Sequence, residues 1–213
     1  IHSKPSPERA SSERIGPDMF TGIVSAIGII EKSEQQGDLR AVISCPFDPA
    51  SIAIGASIAC SGVCLTVVEK GGKAGDAWFA VDVSAETVSR SVKGMWEQSS
   101  ALNLETALKL GDELGGHIVT GHVDTVGEVV MTKDVGGSTR MAIRVRAEFA
   151  PFIAAKGSIT VEGVSLTVND IRDRPDGTCD FAINIIPHTG EVTTLGRLTT
   201  GSQVNLEIDV LAR

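Results

Sequence analysis

The chain has 213 residues and a formal net charge of −8, from 19 Lys and Arg against 27 Asp and Glu. That balance argues against a nucleic-acid or anionic-membrane partner, because binding phosphates needs clustered cations. No apolar run reaches the ~18 residues of a membrane span and no signal-peptide core is present, so a soluble, cytoplasmic protein is expected.

Residues 1–18 are rich in Ser, Pro, Glu and Arg and lack apolar periodicity, which reads as a tag or linker ahead of Met19. From there the chain repeats itself. Phe20-Thr21-Gly22-Ile23-Val24 returns as Val119-Thr120-Gly121-His122-Val123. Gly62-Val63-Cys64-Leu65-Thr66-Val67 returns as Gly163-Val164-Ser165-Leu166-Thr167-Val168, and Leu102-Asn103-Leu104-Glu105 as Val204-Asn205-Leu206-Glu207. The offset drifts only from 99 to 102, as loop insertions in a duplicated domain would produce. Two copies of about a hundred residues match ordinary domain size. The boundaries expected are 19–117 and 118–213.

The fold expected is all-β. Val, Ile and Thr fill the apolar runs, and Gly or Asp-Gly breaks them at short intervals. Strands are expected at about 20–31, 39–45, 57–60, 63–69, 77–83 and 101–106. The second copy gives about 119–131, 139–146, 158–161, 164–171, 178–185 and 203–209. Gly71-Gly72 and Asp176-Gly177 are the equivalent expected turns. Pro49 to Gly55 and Pro151 to Gly157 read as short helices, and further short ones follow Ser84 and Pro187. Six strands made twice suggest two small antiparallel barrels, since closure removes exposed edges.

Cys45, Cys60, Cys64 and Cys179 form no zinc-type pair. Were Cys60 and Cys64 on one strand they would stand ~13 Å apart, too far for a disulfide. Free thiols are expected. Cys64 reads either as a nucleophile or ligand contact, or as a small buried hydrophobe. His117 and His122 have no obvious further metal ligand, so no metal site is expected. They read as proton shuttles or as histidines satisfied by turn carbonyls. Lys156 suits a helix C-terminus, and Arg140, Arg144 and Arg146 a solvated strand face. The copies differ at Cys64/Ser165, Asp82/Asn184, Glu86/His188 and Ile23/His122. Such differences fit either two sites that treat similar ligands differently, or drift.

Met-Phe-Thr-Gly-Ile-Val at 19–24, Gly-Val-Cys-Leu-Thr-Val at 62–67, Gly-Gly-His-Ile-Val-Thr-Gly-His-Val at 115–123 and Gly-Val-Ser-Leu-Thr-Val at 163–168 resemble the riboflavin synthase family, the lumazine-binding alpha-chain type. The resemblance covers 19–213. It implies two six-stranded Greek-key barrels, a homotrimer, and an active site between unlike barrels of neighbouring subunits, with association with lumazine synthase as a further partner. The implied reaction is a dismutation of two 6,7-dimethyl-8-ribityllumazine molecules to riboflavin and 5-amino-6-ribitylaminouracil, with no cofactor or metal. The implied catalytic residues are Phe20, Ser57, Cys64, His117 and His122. His122 would take a proton from the C7 methyl, Ser57 or Cys64 would add to C7 or place water there, and Phe20 would pack near the ring. The first pocket implied uses Gly22, Ile23, Val24, Cys64, Leu65, Thr66, Asp82, Val83, Ser84, Ala85, Glu86 and Thr87, with Gly121, His122 and Val123 from the seam. The second uses Lys156, Ser165, Leu166, Thr167, Asn184, Ile185, Ile186, Pro187, His188 and Thr189. The chain ends at Arg213, about where the family's C-terminal trimer helix begins. Two other readings are a protein that carries a lumazine or flavin without turnover, and a purely structural double barrel.

Overall fold

The computed structural model describes residues 18–213. The expected tag or linker, but for Asp18, lies outside the described residues. The first copy contains β1 (Ala26–Gln36), β2 (Asp38–Cys45), β3 (Ser57–Cys60), β4 (Val63–Lys73), β5 (Asp76–Val83) and β6 (Ala101–Thr106). All neighbours run antiparallel, and the order β1-β2-β5-β4-β3-β6 closes on itself as a barrel. Alternation along the strands fills the interior: Ile30, Ile43, Phe79, Leu102 and Leu104 are fully buried there. Each such side chain contributes roughly 1.5–3 kcal/mol relative to exposure.

The second copy contains β7 (Thr125–Val135), β8 (Ser138–Val145), β9 (Ser158–Val161), β10 (Val164–Thr167), β11 (Asp170–Asp173), β12 (Cys179–Ile185) and β13 (Gln203–Ile208). Its core holds Met141, Ile143, Ile159, Phe181, Ile183 and Leu206. The expected single strand over 164–171 is two strands, and the ladder is a seven-stranded sheet, β10-β9-β13-β7-β8-β12-β11, rather than a closed ring of six. The break falls where the first copy has a bulge between Val67 and Glu69. At this point Val168 pairs its backbone with Lys156 and Gly157, while the next N–H, that of Asn169, donates to Ala182. One run of chain thus serves both ends of the sheet, and a kink replaces a bulge.

Other expectations shift in detail. The strands expected from 20 and 119 begin at Ala26 and Thr125, because the Thr-Gly segments ahead of them turn away to other partners. Gly71 and Gly72 lie inside β4, and the turn is at 74–75. A Cβ on Gly71 would stand 2.6 Å from the Trp78 ring, so that glycine makes room for the indole. The proline-led segments form single 3₁₀ turns, Pro49–Ser51 and Ala150–Phe152, not helices reaching Gly55 and Gly157. Lys156 therefore sits in a turn with φ 70°, where the first copy has Gly55 at φ 80°, and not at a helix end. The short helices after Ser84 and at Pro187 are present: α1 (Ala85–Arg90), capped by the Ser84 hydroxyl accepting the Thr87 N–H, and α2 (Pro187–Val192). None of the four cysteines is in a disulfide; Cys60 and Cys64 lie on facing strands of a hairpin, not on one strand. Arg140 and Arg144 form ion pairs across their sheet with Asp170 and Asp180.

The barrels meet at two matching hairpin turns. Ser61-Gly62 and Glu162-Gly163 all have positive φ, the two-residue turn that follows strand twist. A Cβ on Gly163 would stand 2.7 Å from the Gly62 nitrogen, so the turns touch backbone to backbone. Asn103 donates to the Glu162 carbonyl at 2.8 Å and Asn205 to the Ser61 carbonyl at 3.0 Å. The Asn103 N–H donates to Ser61 Oγ, and the Asn205 N–H to Glu162 Oε1 at 2.6 Å. This reciprocal set is buried, so every donor it uses would otherwise lack a partner.

Candidate active site

Phe20 and Val119 exchange backbone hydrogen bonds of 2.8 and 3.0 Å, so the two Thr-Gly segments run side by side across the seam. Each is clamped by a glutamate at the end of its own barrel. Glu105 Oε1 accepts from the N–H and hydroxyl of Thr21, both at 2.7 Å, and its Oε2 from the Gly22 N–H at 2.9 Å. Glu207 does the same for Thr120 at 2.7 and 2.8 Å, for Gly121 at 2.9 Å, and for the His122 N–H at 3.0 Å. Burial pushes both carboxyl pKa values up, against the pull of these donors.

Each segment is held by one barrel and presented to the other. The Ser165 N–H donates to the Gly22 carbonyl, and the Cys64 N–H to the Gly121 carbonyl, each at 2.8 Å. Both glycines have φ 75°, and a Cβ on either would come within 2.6 Å of Ser165 or Cys64. Only glycine allows this approach. Two pseudo-equivalent sites result, one around Cys64 and one around Ser165.

The first site is a cavity of about 330 Å³ whose lining includes Cys64, Glu86, Thr87, Arg90, Gly121, His122 and Val123. Six of these are among the residues singled out from the sequence; Arg90 is an addition. Strand backbone forms one wall and the polar side of α1 the other, which suits a flat heterocycle carrying a hydroxylated chain. A larger groove of about 730 Å³ beyond Arg90 includes Arg144 and Arg146, whose guanidiniums are already engaged by Asp180, Thr125 and Glu148.

At the second site Ser165 Oγ lies 2.7 Å from His117 Nδ1, and Thr160 Oγ1 3.1 Å from His117 Nε2. Burial lowers the His117 pKa, with Asp209 opposing. Ile23 and His188 are exposed, and Thr189 and Val24 half-buried. His122 is exposed at the mouth of the first site.

The remaining residues are placed differently. Phe20 is fully buried against Ala59 and Val119, with Cys64 packed on that cluster. Ser57 is 4% exposed and donates to Asp18 Oδ2 at 2.5 Å; both line a separate cavity of about 250 Å³. Asp82 is paired with Arg40 on the outer face of its strand. Val83 and Ile185 point into the barrel cores, and Leu65 is buried with them. Ser84 and Ala85 start α1. Thr66, Thr167 and Asn184 are exposed, and Leu166 packs on the second core. Ile186 and Pro187 open α2 and line a cavity of about 220 Å³ on its far side. Lys156 is exposed, with its N–H on the Val168 carbonyl. Glu105, Glu207, Asn103 and Asn205, which build the site, were visible in the sequence only as parts of the repeat; Thr160 carried no signal at all.

Fold and site together define a duplicated β protein with two pseudo-equivalent sites, the first of them a cavity open to a small molecule. The family description "Lumazine binding domain" matches residues 21–107 and 120–209. A riboflavin synthase of Brucella abortus (strain 2308) is 46% identical over 201 residues, 92% of this chain and 95% of its own length. One of Bacillus subtilis (strain 168) is 34% identical, covering 92% of this chain and 87% of its own. Among solved structures, LumP complexed with 6,7-dimethyl-8-(1'-D-ribityl) lumazine superposes with a TM-score of 0.72 at 26% identity, covering 88% of this chain and 98% of that one. LumP complexed with riboflavin gives 0.73 at 26%, covering 89% and 98%. The chain belongs to the lumazine-binding domain family, in its riboflavin synthase branch.

Proposed function

We propose that this chain catalyses the dismutation of two 6,7-dimethyl-8-ribityllumazine molecules to riboflavin and 5-amino-6-ribitylaminouracil, working as a cytoplasmic homotrimer of chains with domains at 19–117 and 118–213. The observation that carries this reading is the pair of Thr-Gly segments, each clamped by one barrel and presented to the other. Two molecules of one substrate need two alike pockets, and the duplication supplies them. The identity to named riboflavin synthases over nearly the whole chain supports the same chemistry.

In the first pocket His122, at the mouth, is the base for the acidic C7 methyl. Cys64 adds to C7 or positions the water that does, and the engagement of the Ser57 hydroxyl by Asp18 supports Cys64 over Ser57 in that role. Glu86, Thr87 and Arg90 face the ribityl chain, and the second pocket uses Ser165, His188 and Thr189 alike. Orientation of the two substrates contributes most: well-placed reactants gain about 7–11 kcal/mol. Lumazine synthase, which would supply the substrate, is the protein partner this reading favours.

The alternative of a carrier without turnover draws on the LumP complexes. Turnover of 6,7-dimethyl-8-ribityllumazine, followed by riboflavin absorbance with light scattering on the same sample, separates the two. Riboflavin formed by a trimer, and lost in His122→Ala or Cys64→Ala with the fold intact, is the expected result. Binding without turnover in a trimer refutes the enzyme reading, and full activity in both variants refutes the residue roles.

A further inference from the structure

His117 lies between two hydroxyls, Ser165 at its Nδ1 and Thr160 at its Nε2. Ser165 and Thr160 are cross-strand partners on β10 and β9, so their side chains share one face of the sheet. Glu207, the clamp of the seam, is the partner of Thr160 on the other side. Thr160 is 1% exposed, so water does not compete for its hydroxyl.

A neutral imidazole has one N–H and one lone pair, so the partner at one nitrogen sets the role of the other. Hydroxyl donors make shorter bonds than N–H donors, about 2.7–2.8 Å against about 2.9–3.0 Å. Either contact can run in either direction, and the lengths suit the Ser165 hydroxyl donating to Nδ1 at 2.7 Å and Nε2–H donating to Thr160 at 3.1 Å. We infer that Thr160 is a positioning residue: by accepting from Nε2 it holds His117 in the tautomer whose Nδ1 lone pair takes the hydroxyl proton of Ser165.

The inference rests on the proposed function and adds to it a proton path at the second site. When a bound ligand gives a proton to Ser165 Oγ, the serine's own proton passes to Nδ1. The ligand is left with one proton fewer, the serine is unchanged, and His117 becomes an imidazolium whose Nε2–H stays on Thr160. The first copy has neither the histidine nor the threonine at the matching positions. Ala59 stands in place of Thr160, between Cys64 and Glu105. Asp18, three residues before Thr21 as His117 is before Thr120, turns to Ser57 instead.

Thr160→Val keeps the shape and deletes the acceptor, and Thr160→Ser keeps the hydroxyl. The ¹⁵N shifts of His117, one of four histidines in the chain, report its tautomer. A single Nε2–H tautomer is expected in the wild type and in Thr160→Ser, and a mixture in Thr160→Val. In riboflavin formation, kcat of Thr160→Val is expected to fall about tenfold with KM within about twofold, the loss of one hydrogen bond, and to recover in Thr160→Ser. An Nδ1–H tautomer in the wild type overturns the inference, as does Thr160→Val with tautomer and kcat unchanged. If Thr160→Val does not fold, the wild-type shifts decide alone, Nε2–H supporting the inference and Nδ1–H refuting it. If the wild type forms no riboflavin, the proposed function fails, and the shifts still decide which tautomer Thr160 imposes.

Discussion

Glu162 is the acid whose removal tests the contact between the barrels. Its side chain is 9% exposed, and one carboxyl oxygen accepts the Asn205 N–H at 2.6 Å. Burial, opposed by hydrogen bonds from Asn205 and Ser61, pushes its pKa from the usual 4.5 to about 7. A pKa raised in the folded state means that the fold favours the protonated acid. The stability it contributes is fully present below pH 4.5 and is lost as pH rises through 7. The difference amounts to about 3 kcal/mol between those limits. Glu162→Gln mimics the neutral acid at every pH and keeps an acceptor for Asn205. Equilibrium urea unfolding followed by circular dichroism from pH 4.5 to 8 checks this. The variant should match the wild type within ~1 kcal/mol at the acid end and exceed it by about 3 kcal/mol at pH 8. The comparison cancels Glu105 and Glu207, present in both chains. Parallel stability profiles across that range would refute the reasoning.

Lys156→Gly relieves a left-handed residue at φ 70° and should raise stability by about 1 kcal/mol, read as an increase in Tm. Gly121→Ala places a Cβ 2.5 Å from that of Cys64 at φ 75°; it should cost at least ~2 kcal/mol and abolish lumazine binding in the first pocket, read by ligand fluorescence. Glu207→Ala leaves the N–H groups of Thr120, Gly121 and His122 without their acceptor. It should destabilise the fold by about 3 kcal/mol in urea unfolding and weaken ligand binding; a stability within 0.5 kcal/mol of wild type would remove Glu207 from its role.

Strand identity was legible because it is written in short-range pattern. Residues such as Met141, Ile143 and Val145 alternate with polar neighbours, and a buried face demands that period wherever the strand lies. The duplication was legible for a similar reason: both copies must fill a similar apolar core. Cys64, Thr87 and His122 could be singled out through family motifs, and they do line one cavity. What pattern cannot supply is the partner of a polar side chain. Glu105 and Glu207 stood out only as parts of the repeat, and their donors lie 83–87 residues away. Thr160 looked like any strand threonine until tertiary packing set His117 beside it. Ser57 and Cys64 sit on adjacent strands, yet they face different cavities, because the Ser57 hydroxyl turns to Asp18. The sequence by itself determined that the chain is all-β, where most strands lie and the twofold plan, since these depend on local sterics and on which face is apolar. The crossing of the Thr-Gly segments, the clamping glutamates and the His117 relay were decided by tertiary structure. They exist only when the two copies pack together and bring distant donors and acceptors within reach.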